Sequence, residues 1–124
     1  MWLNGTCNST LVSRIRFISL VGAEGKRTVA EQALELGRLA ISSGIDGMVT
    51  SAHEAKVLRD AFPAAILVTP GIRMPEGDVG DQKRVATPSF AMEQGATHLV
   101  IGRPIVQADD PTAAATAMLN DMEN

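Results

Sequence analysis

The chain has 124 residues, with 11 Lys and Arg against 14 Asp and Glu and a formal net charge of −3. With 45% apolar and 20% charged residues it holds enough material for one modest domain with a single core, which excludes a disordered or collagen-like chain. Its mild acidity argues against a polyanion-binding surface, so nucleic acid is not an expected partner, and the single cysteine, Cys7, excludes an internal disulfide and suits a reducing cytoplasm.

Apolar runs at 66–68 and 99–101 fall far short of the roughly 18 residues a membrane helix needs, so no membrane segment is expected. Near the start, Arg14 and Arg16 precede Phe17, Ile18, Leu20 and Val21, a run shorter than a signal-peptide core of about 7–15 residues. The segment therefore reads as mature protein. Two sequon-like tripeptides, Asn4-Gly5-Thr6 and Asn8-Ser9-Thr10, matter only in a secretory compartment. The stretch 13–21 suits either an early strand or a helical turn and has no clean period to decide between them.

From residue 28 onward, short apolar runs alternate with capped amphipathic helices. Thr28-Val-Ala-Glu31 is a capping box, followed by Val29, Ala33, Leu36, Leu39 and Ala40 at helical spacing and by a Gly44 stop. Residues 46–50 form a strand candidate that runs into a second apparent capping box, Ser51-Ala-His-Glu54. A helix over 52–61 should end before Pro63. Residues 64–69 are the most strand-like run in the sequence. A long polar loop over 70–85 follows, with four glycines or prolines before Gly80. Thr87 then caps a helix opened by Pro88 and closed near Gly95, residues 98–101 form a strand, and Asp110-Pro111 opens an alanine-rich helix.

Gly44-Ile-Asp-Gly-Met-Val-Thr and Gly95-Ala-Thr-His-Leu-Val-Ile read as two copies of one helix-to-strand junction. Repeated βα units of this kind imply a parallel sheet with right-handed crossovers. In such a sheet or barrel, ligands sit beyond the carboxyl ends of the strands, so the informative residues are 51–53, 70–84 and 102–104. Gly102 allows a close backbone approach, and Arg103 beside it can clamp a phosphate or carboxylate with both arms of its guanidinium. The histidines, His53 and His98, read as a first-turn surface residue and an edge or core residue. With one distant cysteine they offer no metal spacing, so no metal is expected. Ser51 is explained by its cap and has no histidine–acid pair to activate it.

Three segments, Val68-Thr-Pro-Gly-Ile-Arg73, Gly80-Asp-Gln-Lys-Arg-Val-Ala-Thr-Pro88 and Val100-Ile-Gly-Arg-Pro-Ile105, resemble the last third of bacterial orotidine 5′-monophosphate decarboxylases. Asp46-Gly-Met-Val-Thr-Ser-Ala-His-Glu-Ala55 is similar to the preceding βα unit of that family. The likeness runs in order from about Thr28 to the C-terminus, dividing the chain into an unmatched segment, 1–27, and the βα units, 28–124.

What the resemblance implies is an α/β fold made of three or four βα units of a (β/α)8 barrel. Arg73, Gln82, Gly102 and Arg103 would then bind substrate. Arg103 and Gln82 would hold the 5′-phosphate, the Gly102 backbone would complete the cup, and Pro70 would line the pyrimidine side. The loop carrying Gln82 would close over bound nucleotide, so that remote phosphate contacts assist the reaction. The implied ligand is orotidine or uridine 5′-phosphate, and the implied reaction is a cofactor-free decarboxylation in pyrimidine biosynthesis.

Two departures qualify that expectation. A full barrel of this class needs about 250 residues, twice this length. The family's catalytic Asp-x-Lys-x-x-Asp arrangement also has no counterpart, because none of Lys26, Lys56 and Lys83 has an acid three residues on. The expectation is therefore a phosphate grip with no catalytic residues, inactive alone, that pairs as a homodimer or with a complementing N-terminal half. Two rivals are a non-catalytic half-barrel that binds phosphorylated ligands or self-associates, and a truncated gene with no selected function.

Overall fold

The computed structural model describes residues 17–19, 28–74 and 86–123. Its elements run β1 (Phe17–Ser19), α1 (Val29–Ser42), β2 (Gly47–Val49), α2 (Ala52–Ala61), β3 (Ile66–Pro70), α3 (Pro88–Glu93), β4 (His98–Val100), α4 (Arg103–Val106) and α5 (Pro111–Met122). The strands form one all-parallel sheet in the order β1-β2-β3-β4. Strands laid side by side in chain order, each followed by a helix, are the arc of a (β/α) barrel, here with four strands. The uncertain stretch 13–21 thus contributes a strand.

Helix starts follow the local chemistry with one exception. Thr28 accepts from the Glu31 N–H while the Glu31 carboxylate accepts from the Thr28 N–H at 2.9 Å, the reciprocal capping box expected there. Thr87 accepts from the Phe90 N–H at 3.1 Å, and Asp110 Oδ1 accepts from both Thr112 and Ala113 N–H at 3.0 Å. Ser51 holds the expected N-cap position of α2, but its hydroxyl donates to the Glu54 carboxylate and caps no backbone N–H. The short α4 was not anticipated, because Gly102 and Pro104 read as loop punctuation; Pro104 is tolerated at the start of a helical turn.

Packing divides the sheet into two faces. Met48 and Leu67 lie in one core cluster with Ala33, Ala55, Leu58 and Ala65, against the helix layer. A second cluster joins Ala52, Ile72, Ala86, Ala91 and Ala96, with Phe90, Leu99 and Ile101 packed on it. Because side chains alternate along a strand, Val49, Ile66, Val68 and Val100 face the opposite, inner side. There Val100 is 52% exposed. On α1 the buried face is Ala33, Gly37 and Ala40, so Val29 and Leu39, expected to help form the apolar stripe, are exposed at 68% and 65%. Gly37 is what sets this rotation: a Cβ there would lie 2.9 Å from the Phe62 ring and 3.1 Å from Leu58, so α1 and α2 meet at the glycine.

The turns into β3 and β4 share one side chain. Arg59 of α2 donates from Nη1 to the Pro63 and Ala65 carbonyls, at 2.7 and 2.9 Å, and from Nε and Nη2 to the Gly95 carbonyl, at 3.1 and 2.9 Å. Gly95 has φ +94°, and a Cβ there would stand 2.7 Å from the Arg59 Cγ, so only glycine suits both the backbone and the neighbour. Thr97 completes the junction. Its hydroxyl accepts from the Leu67 N–H and donates to the Leu67 carbonyl, both at 2.9 Å, which pins β4 beside β3.

Two expected outcomes follow from this packing. Arg59→Met leaves three part-buried or turn carbonyls without their donor and should cost about 2–3 kcal/mol in urea unfolding, with Arg59→Lys recovering little because a point cation cannot serve both turns. Thr69 is fully buried and, among the described residues, its hydroxyl has no partner. Thr69→Val keeps the shape and removes that orphan, so it should raise the unfolding free energy by about 1 kcal/mol; a loss of stability would mean the hydroxyl is satisfied.

Candidate functional site

The exits of β3 and β4 are in step. The strands pair Pro70 with Val100, and Arg73 and Arg103 each lie three residues further along their chains. Parallel pairing sends both segments out of the same end of the sheet, so the register alone brings the two arginines level.

Past β3 the chain turns at Gly71, whose φ of +77° puts it in the region that favours glycine. Ile72 then buries itself to 1% exposure and bridges to Ala86 in parallel fashion, and the Arg73 N–H donates to the Ala86 carbonyl at 3.0 Å. The long polar loop is thereby anchored at both ends, a feature its composition does not reveal. Past β4, the Gly102 carbonyl accepts from Ile105 and Val106, and the Arg103 carbonyl accepts from Gln107 at 3.0 Å, which winds 103–107 into one turn. Asp121 of α5 accepts from the Ser89 N–H at 2.8 Å, tying the last helix to the start of α3.

Between these two segments lies a cavity of about 350 Å³ lined by Arg73, Met74, Arg103, Pro104, Gln107 and Ala108. That volume falls in the range of small-molecule sites. Two guanidinium groups and one amide meet three less polar side chains, and among the described residues no carboxylate is in the lining. Among the described residues neither guanidinium has a hydrogen-bond or ion-pair partner. In a chain of net charge −3, this is a local concentration of positive charge. Such an arrangement suits a compact anion, which two planar forks can grip by charge-assisted hydrogen bonds.

Arg73 and Arg103, expected from sequence to belong to one ligand site, do line one cavity. Pro70 and Gly102 stand exposed at the two strand exits, outside that lining. Nothing lies within 4 Å of the position a Gly102 Cβ would take, so the space over that backbone is open. Gln82 lies outside the described residues. Met74 and Pro104 fall within the strand-exit segments read as informative but were given no role, and Gln107 and Ala108 lie beyond them; recognising a helical turn after Gly102 would have placed Gln107 one turn from Arg103.

The remaining titratable candidates lie elsewhere. His53 is exposed in the first turn of α2 with its ring 5.5 Å from that of Phe90, and His98 is exposed on the edge strand β4 beside the Thr97 hydroxyl. Lys56 pairs with Asp60 at 3.4 Å on the surface of α2. Among the described residues no group of three or more His, Cys, Asp and Glu could hold a metal ion, and no helix is long and apolar enough to cross a membrane.

Residues 16–118 match the profile of the orotidine 5′-phosphate decarboxylase / HUMPS family, a span that includes β1. Among curated relatives, the chain is 50% identical over 96 residues to the orotidine 5′-phosphate decarboxylase of Gluconobacter oxydans, covering 77% of this chain and 41% of the relative. It is 47% identical over 104 residues to that of Moorella thermoacetica, covering 83% and 40%. Of solved structures, the orotidine 5′-phosphate decarboxylase from Lactobacillus acidophilus superposes with a TM-score of 0.65 at 36% identity over 82% of this chain and 41% of that one. The orotidine 5′-monophosphate decarboxylase from Metallosphaera sedula, at 24% identity and a TM-score of 0.66 over 93% and 53%, shows the shared fold. The chain thus spans about two-fifths of the curated relatives named here.

Proposed function

Because the chain belongs to the orotidine 5′-phosphate decarboxylase / HUMPS family, we propose that its two-arginine cavity holds the phosphate of a pyrimidine nucleoside 5′-monophosphate, orotidine or uridine 5′-phosphate. The observation that carries this reading is the register of β3 and β4, which delivers Arg73 and Arg103 to one cavity whose lining, among the described residues, has no carboxylate. Two guanidinium forks can share the terminal oxygens of one phosphate, and the open space over Gly102 leaves room for a further contact to that backbone. Pro70 lies on the inner side of the sheet, where the base would extend, and Gln82 is assigned to the phosphate by its place in the motif.

We further propose that the chain contributes the phosphate-binding half of a decarboxylase and no catalysis alone. None of its three lysines sits in the Asp-x-Lys-x-x-Asp frame, and Lys56 is committed to a surface ion pair. Phosphate binding remote from the reacting carbon supplies closure and orientation, while the acid–base step needs groups this chain does not offer.

A second reading, that the arc joins another unit, has its own support. Among the described residues β1 and β4 each pair with one strand only, the inner-face Val100 is exposed, and exposed apolar residues lie at both ends of the helix row, Val29 and Leu39 on α1, Val106 and Leu119 on α4 and α5. Open parallel edges and apolar patches invite pairing, either with a second copy or with a complementing N-terminal half.

The first test is calorimetric titration of the 124-residue chain with uridine 5′-phosphate, in which Arg103→Ala should weaken binding at least tenfold, and in parallel an assay for carbon dioxide release from orotidine 5′-phosphate, which should give none. Equal binding by both proteins removes Arg103 from the site, and turnover by the lone chain refutes the division of labour. For the second reading, light scattering should report a species larger than one chain, reduced to a monomer by Leu119→Glu; a monomeric parent chain that binds no hydrophobic dye would contradict it.

A further inference from the structure

The cavity between the exits of β3 and β4 contains one polar side chain that the arginine reading does not use. Gln107 is four residues past Arg103, and its backbone N–H bonds to the Arg103 carbonyl at 3.0 Å. Residues so spaced stack on one side of a helical turn, and both side chains line the same cavity. Gln107 is exposed, and among the described residues its side-chain amide has no hydrogen-bond partner. An exposed amide is free to hydrate, and an anion seated in the cavity offers its Nε2–H a charged acceptor in place of water, which makes the stronger hydrogen bond.

We propose that Gln107 is a third ligand to the anion, its Nε2–H donating to a phosphoryl oxygen alongside the Arg73 and Arg103 forks. This deepens the phosphate reading of the cavity and rests on it. The division of roles follows from the chemistry of the three groups. The arginines contribute charge, so their share of the affinity is screened by salt. Gln107 is neutral and adds a directional bond with little ionic-strength dependence, orienting the phosphate rather than attracting it. Gln107 belongs to the segment that follows β4, one turn beyond Arg103, so it holds the phosphate from the β4 exit while Arg73 holds it from the β3 exit.

The test is titration of the full chain with inorganic phosphate and with uridine 5′-phosphate across a range of potassium chloride concentrations, for the parent, Gln107→Leu, Gln107→Glu and Arg103→Ala. Gln107→Leu should weaken both ligands about tenfold and keep the parent's salt dependence. Gln107→Glu, which preserves the side-chain shape but adds a carboxylate, should fall further than Gln107→Leu, and Arg103→Ala should weaken binding and flatten the salt dependence. Parent-like binding by Gln107→Leu together with loss in Arg103→Ala overturns the role of Gln107 while the phosphate reading stands. No binding by the parent, or none of it sensitive to Arg103→Ala, removes the phosphate reading and this inference with it. A Gln107→Leu defect matched by a lower unfolding midpoint in phosphate-free buffer marks the residue as structural and also overturns the proposal.

Discussion

The pairing of β3 with β4 governs the rest of this molecule. A ladder only a few residues long, Val68 to His98 through Pro70 to Val100, decides that two loops distant in sequence leave the sheet at the same height. A slip of one residue would move every side chain of β4 to the other face and take Arg103 out of step with Arg73. Three residues guard against that slip. Thr97 extends the ladder by bonding Leu67 with its hydroxyl, and Arg59 gathers the turns that lead into both strands, with Gly95 shaped to receive it.

With the register held, the cavity's electrostatics follow without any unusual side-chain environment. Two guanidinium groups are brought to one cavity by backbone geometry rather than by mutual attraction, and among the described residues no acid in the lining offsets them. Like charges held near each other are a standing cost that a bound anion relieves. The stability of the site's frame is accordingly carried elsewhere, by the alanine- and leucine-rich packing of α1 and α2 on β2 and β3 and by the smaller cluster beneath α3. Separating frame from charge in this way lets the two arginines be exposed on the surface of a fold that does not rely on them.

The same construction explains why apolar side chains remain at the margins. Between neighbouring helices each apolar stripe has two sides to cover, and α2, in the middle of the row, has both covered, leaving only Val57 at 36% exposure among its large apolar residues. At the margins α1 packs chiefly on α2 and α4 chiefly on α5, and Val29 and Leu39 at one end and Val106 and Leu119 at the other stay in solvent. This is the geometry of an arc, and it agrees with a chain spanning about two-fifths of the relatives it matches.

Much of this organisation is written locally. Thr28 with Glu31, Thr87 with Pro88, and Asp110 with Pro111 mark helix starts because capping is decided within one turn, and the motifs around Arg73 and Arg103 point to strand exits because parallel sheets leave their ligand groups there. Where a decision depended on neighbours far along the chain, local reading stopped. The bare triplet Phe17–Ser19 becomes a strand only by pairing with β2, and the rotation that exposes Leu39 is set by Gly37 against Phe62 and Leu58. Sequence by itself determined the alternation of strands and helices, the family and the identity of the charged groups, since these rest on contacts within a turn or on motif spacing. Only the tertiary structure decided which of those groups share a cavity and that Gln107 joins them, because register and helix rotation are settled by long-range packing that no local window contains.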